Sequence, residues 1–138
     1  MPLVFNRNIL LVSLIEVANV FLSFSSAFGI LDYYAVLSGY PQTEPLRNLI
    51  APWPYLSFFL VGWGVLEVAV TVFLCLKRTS TLVNTVISVN ALNIGVVIAS
   101  YMITAFSASL FTRLLTLKLF ISILAAAFAY AKRDWIIT

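Results

Sequence analysis

The sequence predicts an all-α integral membrane protein: four transmembrane helices in an antiparallel bundle, both termini cytoplasmic, with a short interfacial helix in the first loop. Three observations predict it. Of 138 residues, 62% are apolar and 9% charged, whereas a soluble domain is nearer half apolar and a quarter charged. A globule this small buries only about two-thirds of the surface its unfolded chain exposes, so so much apolar surface calls for lipid as its solvent. Four apolar stretches, residues 9–31, 55–76, 81–104 and 110–131, each reach the roughly 20 residues that cross a bilayer core. The basic residues, finally, gather on alternate connections. The four stretches form a single membrane domain over residues 1–138, and they are helices because a lone strand in lipid leaves its backbone unpaired.

The first stretch carries Arg7 ahead of an apolar run and Ser25-Ser26-Ala27 near its end, the outline of a cleavable leader. Glu16 interrupts the apolar run, which favours an uncleaved first helix. Residues 32–54 hold most of the prolines, and Thr43-Glu44-Pro45 reads as a helix start with Thr43 as N-cap. A short helix over 44–50 follows, flanked by Tyr33, Tyr34, Tyr40, Trp53 and Tyr55, which suit the headgroup level. Lys77-Arg78-Thr79-Ser80 and Ser107 to Ser109 are short polar turns, so the last three helices run up and down as neighbours. Arg7, Lys77, Arg78, Lys132 and Arg133 then share one side, and the excess of positive charge makes that side the cytoplasm. Arg47, Arg113, Asp32 and Glu44 fall on the other.

The census excludes several chemistries. There is no histidine and a single cysteine, Cys75, so the chain alone builds no His-ligated haem or metal site, no Ser-His-Asp triad, no disulfide and no redox pair. No catalytic, cofactor-binding or metal-ligating residue is assigned, and no cofactor is expected. The net charge of +3 belongs to topology and to contacts with anionic lipid, not to nucleic acid. Cys75 reads as a packing residue, and Gly62 and Gly64 as sites of close helix approach.

Inside the spans lie Glu16, Glu67 and Lys118, with Asn19, Asn84, Asn90 and Asn93. Charges in a bilayer core are costly and must face protein or water with a partner. A rise of about 1.5 Å per residue puts Glu16 roughly 10 Å and Glu67 roughly 14 Å from the cytoplasmic edge, with Asn90 near their level. Lys118 starts deeper, and its stem reaches several Å along the helix. Helical spacing groups Glu16, Asn19, Ser23 and Ser26 on one stripe, Gly64, Glu67, Thr71 and Cys75 on a second, and Lys118, Ser122, Ala125 and Ala129 on a third. Ser88, Gly95 and Ala99 read as the small-residue packing face of the third span. An intramembrane cluster of Glu16, Asn19, Glu67, Asn90 and Lys118 follows. One lysine cannot serve two glutamates, so one acid either meets a neighbouring chain or holds a proton.

Residues 55–83, with their Gly-rich entry, Leu66-Glu67 and the Lys77-Arg78 turn, resemble the second helix and turn of DoxX/DoxD-like four-helix membrane proteins. That resemblance implies a small subunit of a quinol-oxidising respiratory assembly; the basic residue the family tends to carry in helix one is replaced here by Glu16. The acid in helix one together with Gly39-Tyr40-Pro41-Gln42-Thr43-Glu44-Pro45 is similar to uncharacterised small archaeal membrane proteins. Glu16-Val17 in a four-helix chain resembles small multidrug transporters, from which the long first loop and the second glutamate depart. The expected function is a non-catalytic accessory subunit of a larger membrane complex of the respiratory, terminal-oxidase type, with the lipid bilayer and other membrane subunits as partners. The alternative is a small proton-coupled transporter, a homodimer working through Glu16 and Glu67.

Overall fold

A computed structural model describes residues 7–76, 79–104 and 110–136. They form six helices: α1 (Arg7–Ser38), α2 (Glu44–Ile50), α3 (Trp53–Leu76), α4 (Ser80–Ile103), α5 (Leu110–Ala131) and α6 (Arg133–Ile136). Four of these segments are long and apolar enough to cross a membrane. The expected turns at Lys77-Arg78 and Ser107 to Ser109 lie outside the described residues.

The ends of the helices follow local chemistry. Thr43 caps α2 by accepting from the Leu46 amide, with Pro45 in the first turn, where a missing N–H costs nothing. Thr79 caps α4 in the same way through Leu82. Helix α1 differs from expectation: it continues through Asp32 to Ser38 instead of ending near residue 31. Nothing between Asp32 and Ser38 breaks a helix, and the chain turns only at Gly39, whose N–H bonds back to the Val36 carbonyl. The extra turns bring Tyr33 onto Trp53, with ring centroids 5.8 Å apart. Trp53 is consequently turned into the bundle and not outward. It is fully buried, edge-on to Phe111 at 5.8 Å, and its Nε1–H donates to the Ile103 carbonyl at 3.3 Å. Tyr40 and Tyr55 do remain exposed.

Helix α1 is central, packing along both α3 and α5, while α4 lies mainly on α5 and touches α3 less. The interior is layered. At the end bearing Arg7, Ile9, Val12, Val70, Leu74, Val83, Val86, Val89 and Ala129 form one apolar cluster. At the opposite end Ala27, Ile30, Ile50, Trp53, Leu56, Leu60, Val97, Phe111 and Leu115 form another. Between them lies a polar layer.

Candidate functional site: a buried polar relay

The polar layer is supplied by all four long helices. Glu16, Asn19, Ser23 and Ser26 line the inner face of α1, Glu67 comes from α3, Asn90 from α4, and Lys118 and Ser122 from α5; each is at most 1% exposed. Among the described residues, Glu16, Glu67 and Lys118 are the charged side chains that are fully buried.

Their hydrogen bonds run as one chain. Asn90 Nδ2 donates to Glu16 Oε1, and also to the Val86 carbonyl at 2.8 Å. Asn90 Oδ1 accepts from Asn19 Nδ2 at 2.9 Å. Asn19 in turn accepts from Lys118 Nζ, through its backbone carbonyl at 3.3 Å and more weakly through Oδ1 at 3.5 Å, and Ser122 donates to the same Oδ1 at 3.2 Å. Lys118 Nζ closes the relay on Glu67 Oε1 at 2.9 Å, where Ser23 also donates, at 2.8 Å. The five residues of the expected cluster thus meet inside a single chain, and Lys118 pairs with Glu67. Both acids are enclosed by this chain's own helices.

A buried ion pair is worth having only when the remaining donors and acceptors are satisfied. Here most are. Among the described residues, three buried side-chain atoms lack a partner: Glu67 Oε2, Ser26 Oγ and Asn93 Nδ2. The amide oxygen of Asn93 is held by the Trp63 indole N–H. Around the layer, Thr71 Oγ1 donates to the Glu67 backbone carbonyl at 2.8 Å, and Ser13 Oγ lies 3.2 Å from Cys75 Sγ. Cys75 is half-buried. Among the described residues no group of three His, Cys, Asp or Glu is placed to hold a metal ion.

Two expectations for small residues are corrected. Ser88, Gly95 and Ala99 do not pack inward; all three are exposed. Only one face of α4 can turn inward, and Asn90 and Asn93 find their hydrogen-bond partners there, so that face is the buried one. Likewise only Gly64 serves close packing. A Cβ on it would meet Phe24 at 3.1 Å and Ser23 at 3.3 Å, whereas one on Gly62 or Gly95 would meet nothing within 4 Å. Arg7, Lys132 and Arg133 are exposed, and Lys77 and Arg78 lie outside the described residues. Ser23 and Ser122 join the relay unassigned, although both sit on the predicted stripes. The Trp63–Asn93 bond had no signal in the sequence, because two residues thirty apart on different helices share no spacing rule.

These features define a helical-bundle protein with an apolar exterior and a charged relay at its centre. Comparison with known proteins returns no matching family model, no matching curated protein and no matching solved structure.

Proposed function

We propose that the protein is a multi-pass protein of the cell membrane, both termini cytoplasmic, serving as a non-catalytic accessory subunit of a larger membrane assembly. The outer face of α4 carries this reading. Asn84, Ser88, Ala91, Gly95, Ala99 and Met102 recur every three or four residues along one stripe and are all exposed. Leu92 and Ile98 border the stripe, and the outer faces of the other long helices expose Phe21, Phe28, Phe58, Phe73, Leu117 and Phe120. Membrane helices use small residues at four-residue spacing to bring a second backbone close, and Ser or Asn to bond across. Beside the stripe, Tyr55, Phe59, Val96, Ala99 and Ile103 line an open, almost wholly apolar groove of about 380 Å³, room for a partner helix's larger side chains.

The assembly we name is a respiratory electron-transfer complex. Its support is the resemblance of residues 55–83 to DoxX/DoxD-like proteins, together with a sequence that has no histidine and one cysteine, so that redox ligands would come from another chain. Arg7, Lys77, Arg78, Lys132 and Arg133 hold the cytoplasmic ends against anionic lipid, and α2 lies along the opposite surface.

The test is the native mass after mild detergent extraction from the protein's own membranes, with co-migrating chains identified, for wild type, Gly95→Leu and Gly62→Leu. Fixed stoichiometry with cofactor-bearing subunits, lost in Gly95→Leu and kept in Gly62→Leu, is expected. Migration as a lone dimer overturns the reading. A second reading, the proton-coupled homodimeric transporter, is favoured by the enclosure of both glutamates in one relay; it expects that lone dimer, and flux lost in Glu16→Gln and Glu67→Gln.

A further inference from the structure

The relay holds two acids and one lysine. The groups packed around it add no further charge: α1 contributes Glu16, α3 Glu67 and α5 Lys118, while α4 brings the neutral amides Asn90 and Asn93. With the ammonium and both carboxylates ionised, the layer carries one uncompensated negative charge between two apolar clusters, where an unpaired ion is severely penalised. A metal ion does not suit the vacancy in charge. Lys118 Nζ already occupies the centre of the donor set, within 3.5 Å of Glu67 Oε1, the Asn19 carbonyl and Asn19 Oδ1. Among the described residues the unpartnered buried carboxylate oxygen is Glu67 Oε2, on a side chain with no exposed surface. One oxygen is too few for the six or more ligands of a hard cation, and sufficient for a proton.

We propose that the relay is a binding site for one exchangeable proton, carried on one carboxyl of the Glu16–Glu67 pair, whose charges are coupled across Asn90, Asn19 and Lys118. Uptake forms one O–H bond on the carboxyl pair and cancels the excess charge; release returns the proton to water and breaks only that bond. Hydroxyl and thiol groups extend the polar layer toward the Arg7 end, because Ser13 lies one turn from Glu16 and bonds Cys75, two turns from Glu67. The site stands under either reading of the function, and the loss of the Gly95 result would leave it untouched.

Infrared titration of the full-length protein in lipid nanodiscs, reading the C=O band of protonated carboxyls, tests it. Asp32, Glu44 and Asp134 are exposed and cancel in spectra of wild type minus variant. Wild type is expected to hold one buried protonated carboxyl that titrates. Glu16→Gln leaves Glu67 with Lys118, and Glu67→Gln leaves Glu16 with Lys118, so each layer is neutral and the titrating band vanishes in both. Lys118→Met leaves two acids and no cation, and the band doubles. Absence of a buried protonated carboxyl in wild type at any pH overturns the proposal, as does a band that survives in both glutamine variants. Both variants are near-isosteric, so neither outcome depends on Lys118→Met folding.

Discussion

The two faces of α4 are built from similar residues and meet different surroundings. Inward, Asn90 bridges Glu16 and Asn19 and Asn93 takes the Trp63 indole. Outward, Asn84, Ser88 and Gly95 are exposed, and a Cβ on Gly95 would touch nothing within 4 Å among the described residues. Residue type therefore does not say which side of a membrane helix is the interior. The partner does. The inner face is explained by this chain's own contacts, and the outer face is the one assigned to a partner in the proposed function. The same contrast appears between Gly64 of α3, set against Phe24 and Ser23 at 3.1 and 3.3 Å, and Gly95, which faces open space.

Substitutions separate the faces, and the largest effect belongs to the interior. Lys118→Met removes the cation from a buried pair and leaves Glu67 and Glu16 without it; breaking such a pair costs about 3–5 kcal/mol. Thermal unfolding in detergent should show a steep loss of stability, and a near-wild-type midpoint would mean the relay contributes little to the bundle. Gly64→Leu comes next. Forcing a larger side chain into a packed contact costs about 1–3 kcal/mol, which the same melts would register, whereas Gly62→Leu on the outer surface of that helix should leave them unchanged. Asn90→Ala strips Glu16 and Asn19 of a partner, at about 1–3 kcal/mol for the buried groups left unsatisfied. Its outward counterpart, Asn84→Ala, should be silent in the isolated chain; equal costs for the two would erase the distinction between the faces. Smallest is Gly95→Leu, expected within about 0.5 kcal/mol of wild type in the purified chain, even though it is the substitution expected to strip the native assembly.

Much of the fold was legible because its signals are local. The spans at 55–76, 81–104 and 110–131 lie within two residues of the observed helices, since long apolar runs bounded by Thr79 or by polar turns leave few choices. The α2 start at Thr43-Glu44-Pro45 was legible for the same reason. The end of α1 was not: Asp32 and two tyrosines look like an interfacial loop, but helix propagation continues until Gly39 offers a place to turn. In the site, the stripes on α1, α3 and α5 pointed inward because each places a charged or amide group at helical spacing with small residues, and such a group must find company. On α4 two stripes competed. Ser88, Gly95 and Ala99 had the better small-residue spacing, and Asn90 and Asn93 had the partners. Spacing can be read along one helix; partnership needs the others.

The sequence by itself determined that the chain is helical, that four segments are apolar and long enough for a bilayer, and that Glu16, Glu67 and Lys118 each needed a partner inside a span, with Asn19 and Asn90 as candidates. Composition, length and the cost of burying charge act within each segment, so they need no knowledge of the rest. Tertiary structure alone decided that Lys118 bonds Glu67 at 2.9 Å, that Asn90 and Asn19 link that pair to Glu16, and that Trp53 is buried while Gly95 is bare. Those outcomes depend on the rotation and register of each helix against its neighbours. Such angles are set by the sum of many side-chain contacts across helices, and no single stretch of the chain contains them.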